Sequence, residues 1–290
     1  MKIAYIILAH KNPEQLVRLI HRLQDENTSF FVHLDQKTSH SVYSQLLEQL
    51  RDVPDILFVK RYRCYWGNYG IVNATIEAIK QLVRSTIDFD YAILLSGQDY
   101  PIKSIASINA FLDRNHGSEF MDSFALTSYN RWTDQGDCYQ ALNRVQYWHF
   151  RIRSRHFYPP IKRPLPKNFA LYGGSQWWCL TRECINYVNA YIANHPAFVN
   201  YFKHTFIPDE LFFQTIVSNS PFRANMIHDD LRFIDWDHPN PVPPATMLKA
   251  DFDRLVASPK LFARKFDITR DAEIFDLIDQ HILNAMPVGR

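Results

Sequence analysis

Glycine is scarce in this chain, with only eight in 290 residues. That is fewer than half of what an average usage of about 7% would give. Collagen-like repeats and glycine-rich low complexity are therefore excluded, and the apolar content excludes disorder. The positions of the few glycines gain weight, because glycine serves where the backbone turns sharply or approaches a ligand. Charge imbalance is also missing: 32 Lys and Arg stand against 30 Asp and Glu, a net +2. A globally basic nucleic-acid binder is not expected from that balance. The four cysteines, Cys64, Cys138, Cys179 and Cys184, form no CxxC or Cys/His metal spacing. They are too few and scattered for a disulfide scaffold, which points to a reducing compartment. The first apolar run, before His10, is too short for a membrane span or a signal core. Neither GxGxxG nor GxxxxGK[ST] occurs, so the phosphate cradles of a dinucleotide-binding Rossmann fold and of a P-loop NTPase are absent. The expected location is cytoplasmic.

What the chain does have is apolar and aromatic mass, 47% and 14% of its residues. Its length suits one large α/β domain or two small ones. Up to residue 115, strand and helix signals alternate. Strands are expected at 3–8, 30–34, 56–59 and 91–95. Helices are expected after Asn12-Pro13-Glu14-Gln15, with Asn12 as N-cap, over a periodic stretch from 71 to 83, and through Ile105, Ile108 and Phe111. Alternation of this kind implies a mostly parallel sheet with helices on both faces. Such sheets bind ligands beyond the carboxyl ends of their strands. The polar residues found there are His10, Asp35, Tyr65-Trp66-Gly67 and Ser96-Gly97-Gln98-Asp99.

The middle of the chain differs. Residues 138–181 carry seven Lys or Arg and no acid, leaving the rest of the chain at −5 against the overall +2. Four prolines and interleaved aromatics predict a long irregular excursion. Its basic part, 144–167, is a candidate for peripheral contact with an anionic membrane at its inner face. No nucleic-acid-binding pattern accompanies it. Regular structure is expected again in GGSQWWCLTRECINYV (strand into helix), PDELFFQTIV (helix), LRFIDW (strand) and 274–282 (helix). One domain over 1–290 is expected, with a nucleotide-binding half at 1–115 and an acceptor and catalytic half at 116–290.

Several clusters carry chemistry, each beside an ordinary alternative. Asp35 suits a ribose or base contact, or a solvated strand end or helix cap. Trp66, followed by the turn glycines Gly67 and Gly70, suits sugar or base stacking, or the core. A metal-dependent sugar-nucleotide transferase would place Asp-x-Asp after a strand to hold Mg²⁺ or Mn²⁺; after the fourth strand only Asp99 is present. Asp88–Asp90 precedes its strand and lies at the wrong end of the sheet. Asp235-Trp236-Asp237 follows a strand and stays open, while Asp251 and Asp253 suit a first helical turn. Pro208-Asp209-Glu210 opens a helix, where acids are favoured by the dipole alone but where a carboxylate also suits general-base work. Arg264 and Lys265, between two phenylalanines, suit a leaving diphosphate or a surface basic pair.

Together these segments closely resemble the core-2/I-branching β-1,6-N-acetylglucosaminyltransferase family, which also contains the peptide O-xylosyltransferases. The matching segments, in order, are AYIILAH, FVHLD, RCYWGNYGIV, LLSGQDYPIKS, GGSQWWCLTR, PDELFFQT, LRFIDW and LFARKFD. Any one is weak; all in order are specific. The resemblance implies a GT-A-like fold, a UDP-sugar donor, transfer with inversion and no required metal or other cofactor. It implies Glu210 as catalytic base, Lys265 and Arg264 as diphosphate contacts, and Asp35 as a uridine contact. It implies Trp236 on the acceptor side and Arg144 on the acceptor or donor side; His10, Trp66, Gly97 and Asp99 are further donor-side candidates, and Arg144, Ser175 and Trp177 acceptor-side candidates. One family arginine is replaced: Pro244-Ala245-Thr246 carries alanine, so Lys249 or the basic excursion would supply that charge, or diphosphate binding is weaker. The stem, anchor and disulfides of animal members have no counterpart, as expected of a compact bacterial-type enzyme. The expected activity is transfer of a sugar, GlcNAc first and xylose as the alternative, to a hydroxyl of a glycan or lipid-linked glycan. A catalytically silent glycan- or nucleotide-binding relative is the rival from another class.

Overall fold

The run IAYIILA has apolar side chains for both faces of a sheet, and it becomes the strand around which the molecule is built. The computed structural model describes residues 1–133, 140–152, 155–166, 168–236 and 244–283. Up to residue 115 the order is β1 (Ile3–Ala9), α1 (Pro13–Leu23), β2 (Thr28–Leu34), α2 (His40–Gln49), β3 (Ile56–Phe58), α3 (Gly70–Arg84), β4 (Tyr91–Ser96), β5 (Asp99–Pro101) and α4 (Ile105–Arg114). There follow β6 (Glu119–Ala125), α5 (Asn143–Gln146), the hairpin β7 (Phe150–Ile152) and β8 (Arg155–Phe157), β9 (Tyr172–Thr181), α6 (Arg182–Asn194) and α7 (Pro196–Phe202). The chain continues through α8 (Phe212–Ser218), β10 (Met226–Ile227), β11 (Arg232–Ile234), α9 (Phe252–Ala257), β12 (Phe262–Arg264) and α10 (Glu273–Ile278).

The main sheet has seven strands in the order β10-β6-β9-β4-β1-β2-β3. β1 pairs in parallel with β2 and β4, β2 with β3, and β10 with β6; β9 alone runs against its neighbours β4 and β6. Strand order therefore reverses between β1 and β4, and a crevice opens at that point beyond the carboxyl ends of the strands. Side chains alternate along β1: Ile3, Tyr5 and Ile7 enter one core, with Leu16, Leu19 and Ile20 of α1, Ile108 of α4 and Phe275 of α10. Ala4 and Ile6 enter the other, with Val72 and Ile76 of α3, Ile185 of α6 and Phe212 of α8. The expected mostly parallel sheet covered on both faces is what forms.

A second sheet, β11-β12-β5, sits at the carboxyl edge and joins the two ends of the chain. Phe262–Arg264 runs antiparallel to Asp99–Pro101. β9 likewise comes from beyond residue 115 and fills the place beside β4, so the two halves share one sheet.

Three local expectations change. Asn12 stands at the start of α1 but does not cap it: its backbone is left-handed (φ 52°) and its amide donates to Asp267 at 2.8 Å. Pro208-Asp209-Glu210 is a separate 3-10 turn, and Leu211 (φ −134°) interrupts the chain before α8 begins. The basic excursion contains a short helix, α5, and the β7-β8 hairpin.

Candidate active site at the carboxyl edge of the sheet

Three strand ends of the first half converge at the crevice. His10, just after β1, is exposed. Gly97 follows β4 so closely against β1 that its N–H donates to the Leu8 carbonyl at 2.9 Å, and an added Cβ would lie 3.0 Å from the Ala9 side chain. Gln15, fully buried in the first turn of α1, donates to the carbonyls of Gly97 (2.8 Å) and Phe266 (3.2 Å) and accepts from the Ile268 N–H (2.9 Å). That glutamine ties the β4 loop to the segment carrying Lys265. Asp35 is buried at the end of β2. Its carboxylate accepts the N–H groups of Lys37 (2.8 Å) and Cys64 (3.3 Å), with the Lys37 ammonium 3.4 Å away. Burial, reinforced by Asp35, pushes the Cys64 thiol up to about 12, so it stays protonated.

The small sheet supplies the cations. Asp99 is fully buried, with one oxygen accepting the Ser96 N–H at 3.0 Å and the other 3.5 Å from the Arg264 guanidinium. It was expected to meet the donor directly. Instead it lies behind Arg264 and holds that side chain, because β5 turns inward to pair with β12. Trp177, expected on the acceptor side, is also buried and is the platform for Arg264, whose guanidinium carbon lies 4.2 Å from the ring centroid. Buried Arg232 donates to the carbonyls of Asp230 and Leu94, and so locks β11 onto β4. Lys265 is half-buried, and burial together with Arg264, Lys11 and Arg270 lowers its ammonium pKa. Those four cations therefore share one region, with Asp267 pairing Lys11 at 2.6 Å.

The replaced arginine also has a structural answer. Ala245 is buried, and its backbone brackets Lys265: the Lys265 N–H donates to the Ala245 carbonyl at 3.3 Å. Lys249, the suggested substitute, spends its ammonium on Glu273 at the surface. Among the described residues, the cations beside Lys265 are Arg264, Lys11 and Arg270, with Asp267 the opposing charge. Asp235 is buried and paired with Arg254 at 2.7 Å, Trp236 is 60% exposed, and Asp237 lies outside the described residues. Asp88 and Asp90 sit at the amino end of β4, where they pair with Lys2 and Arg182. Among the described residues no group of three His, Cys, Asp or Glu is arranged to hold a metal ion.

Glu210 occupies the second wall. Its Oε2 accepts from Arg144 Nη1 at 2.7 Å, and its side chain is 30% exposed while that of Arg144 is 4% exposed. One side of the carboxylate thus faces solvent and the other is gripped. Burial raises the Glu210 pKa and Arg144 pulls it back. Arg144 lies flat on Trp132, 3.7 Å from the ring centroid. Asp209, beside Glu210 in the same turn, is buried and pushed up to about 7, first by burial and then by the charge of Glu210. Trp66 is 65% exposed and meets Phe206 edge-on at 5.5 Å, while the Gly67 carbonyl accepts the Ile207 N–H at 3.0 Å. The Trp66 loop is thereby docked on the turn that carries Glu210. Cys64 links this wall to the first, since its N–H serves Asp35 and its thiol feels Asp209. Ser175 hydrogen-bonds Asp230 at 2.6 Å through its hydroxyl and Asp122 at 3.1 Å through its N–H.

Sequence reasoning missed Trp132, Asp122, Arg232 and Lys11. No motif marks Trp132 or Asp122. Arg232 is the second residue of LRFIDW and opens β11, and Lys11 directly follows His10, so position at a strand end was a usable signal for both.

A mostly parallel sheet with one reversed strand, and a cation-rich crevice at its switch point, define a GT-A-like α/β protein. Residues 3–256 match the family model described as Core-2/I-Branching enzyme, and the chain belongs to that family of glycosyltransferases. Among curated proteins, xylosyltransferase 2 of Rattus norvegicus is 26% identical over the whole of this chain and 34% of its own length. Xylosyltransferase 1 of Rattus norvegicus is 26% identical over the whole chain and 36% of its length, and that of Homo sapiens 25% over the whole chain and 31%. The chain thus spans about a third of the length of these relatives. Among solved structures, 4-diphosphocytidyl-2C-methyl-D-erythritol synthase of Anaerococcus prevotii aligns with TM-score 0.34 at 10% identity, covering 68% of this chain and 75% of that one, and no inference is drawn from it. No helix among the described residues is long and apolar enough to cross a membrane.

Proposed function

We propose that the chain is an inverting, metal-independent glycosyltransferase that moves a sugar from a UDP donor to a hydroxyl of a glycan or lipid-linked glycan. The observation that carries it is Glu210: a carboxylate whose pKa burial has raised, gripped by Arg144 on one side and open on the other. A general base works best with a pKa near the operating pH and its free lone pairs facing substrate. In the proposed step Glu210 takes the proton of the acceptor hydroxyl as that oxygen bonds to the anomeric carbon. The bond from that carbon to the diphosphate oxygen breaks on the opposite face, and UDP leaves with the electron pair. Lys265 and Arg264 neutralise the departing charge, the work a metal would otherwise do. Asp99 and Trp177 position Arg264. Trp66 and Asp35 bind the donor, and Arg144, Ser175 and Trp236 serve the acceptor side.

GlcNAc is the donor sugar the resemblance puts first. The relatives named xylosyltransferases favour xylose as a second reading. A panel of UDP-sugars, incubated with and without EDTA and followed by UDP release, separates them: slow donor hydrolysis names the sugar, and activity lost in EDTA overturns metal independence. Glu210→Gln should lower transfer by about 10²- to 10⁴-fold with UDP affinity retained. Normal transfer by that variant would refute the base assignment. No UDP-sugar turned over, with UDP still bound, would favour the silent relative.

A further inference from the structure

A cavity of about 390 Å³ opens beside the Trp66 loop, and its lining is rich in cations. Arg63, Arg151 and Lys203 line it together with His149, His156 and His204, and among the described residues no carboxylate lines it. The cations come from three separate segments: the loop after β3, the β7-β8 hairpin and the end of α7. An anion entering the cavity would meet these cations.

His149 and His156 spend their N–H groups on the protein itself, so it is the cations that would meet an anion. Burial lowers all three histidines, His149 to about 4, and neighbouring cations add to this. His149 Nε2 lies 3.0 Å from the Asn143 carbonyl, which can only accept, so that nitrogen carries the hydrogen. His149 Nδ1 is then the acceptor for His156 Nε2–H at 3.0 Å. The two rings stack at 5.1 Å, and His156 stacks on Phe206 at 4.4 Å.

Aromatic walls accompany the charge. Arg151 lies over the Tyr65 ring at 4.3 Å and Lys37 over the same ring at 4.6 Å, so Tyr65 links this cavity to the Asp35 end of the crevice. Phe150 and Tyr69 also face the cavity. Gly67 lines it and accepts from Ile207, one residue before the turn that carries Glu210. Rings for the apolar faces of a sugar, cations for a negative group and adjacency to the proposed base fit a single ligand class.

We infer that this cavity is an acceptor subsite for an acidic saccharide, a sugar unit bearing a carboxylate or phosphate next to the hydroxyl-bearing unit. The inference rests on the glycosyltransferase reading and narrows its acceptor. Arg63 and Lys203 are exposed, so their replacement leaves the cores intact, and near-ultraviolet circular dichroism would check the fold.

The test is calorimetric titration of the whole chain with galacturonic acid tetrasaccharide and with the matching neutral galactose tetrasaccharide, and of UDP in parallel. The acidic ligand should bind about tenfold or more tightly than the neutral one, with the difference shrinking as salt rises. Arg63→Ala and Lys203→Ala should each weaken the acidic ligand severalfold while leaving UDP affinity unchanged. Equal binding of the two tetrasaccharides, or variants that bind the acidic one as the wild type does, would overturn the subsite. If the tetrasaccharides bind alike but phosphatidylserine vesicles sediment the protein and the variants abolish it, the subsite is likewise overturned in favour of a membrane contact. Loss of UDP binding by the wild type would sink the donor reading and leave the acidic-versus-neutral comparison standing.

Discussion

At the residue scale, the proposed base is tuned by one arginine. Without Arg144 nothing described offsets the burial of Glu210 except the more distant Arg131. Arg144→Gln should therefore raise the Glu210 pKa further and move the acid limb of the pH–rate profile to higher pH. A profile that keeps its acid limb in place would show that Glu210 is not the titrating group. Asp267 makes the opposite case. Burial alone would raise it, but hydrogen bonds from Lys11, Thr269 and Asn12 outweigh that and hold the carboxyl far below its ordinary range. A depressed folded pKa stabilises the protein above the unfolded pKa of about 3.9 and loses that stabilisation as pH falls below it. Asp267→Asn should cost about 1–2 kcal/mol at pH 7, with the gap to wild type narrowing toward pH 3. Urea unfolding at the two pH values checks this; a gap unchanged between them would place the effect in packing.

At the element scale, β9 decides the shape of the site. Its glycines lie where β6 crosses closest: a Cβ on Gly174 would stand 1.9 Å from the Asp122 carbonyl oxygen, and one on Gly173 would stand 2.3 Å from the Trp132 ring. The first is a clash with backbone, so Gly174→Ala should cost about 3 kcal/mol or more as β6 and β9 are forced apart. The second displaces the platform under Arg144, so Gly173→Ala should reduce transfer more than stability. Thermal melts beside initial rates distinguish the two; equal stability losses would remove Trp132 from the chemistry. Periodicity made β1, β2, β4, β9 and helices α1, α3 and α6 legible. β6 was missed because Glu119 and Asp122 break its apolar run. The structure seats buried Glu119 on the Thr181 N–H (2.9 Å) and hydroxyl (2.6 Å) of the neighbouring strand, a partner the local pattern does not show. α2 was missed because only Leu46 of its residues is buried, so it lacks an apolar stripe.

At the scale of the whole molecule, the crevice is assembled from segments distant in sequence. β12 pairs with β5, Phe275 packs on Tyr100 at 4.9 Å, and Asp279 receives Arg18 and the Tyr100 hydroxyl. Residues 1–115 alone would expose the β4 edge that β9 covers and leave β5 without its partner. That fragment should show no cooperative thermal transition, whereas the full chain should have one, raised further by UDP through linkage. A fragment that melts cooperatively would establish the first half as a self-sufficient unit. The sequence by itself determined the alternation of strands and helices, the strand-end loops, and the segments that mark the family, because these rest on side-chain periodicity and local turn chemistry. Only the tertiary structure decided that Asp99 and Trp177 stand behind Arg264, that Lys249 is spent on Glu273, and that Arg144 grips Glu210 from a platform of Trp132. Those relations are set by the pairing of strands far apart in the chain, and no local pattern of residues encodes which side chains such a pairing brings face to face.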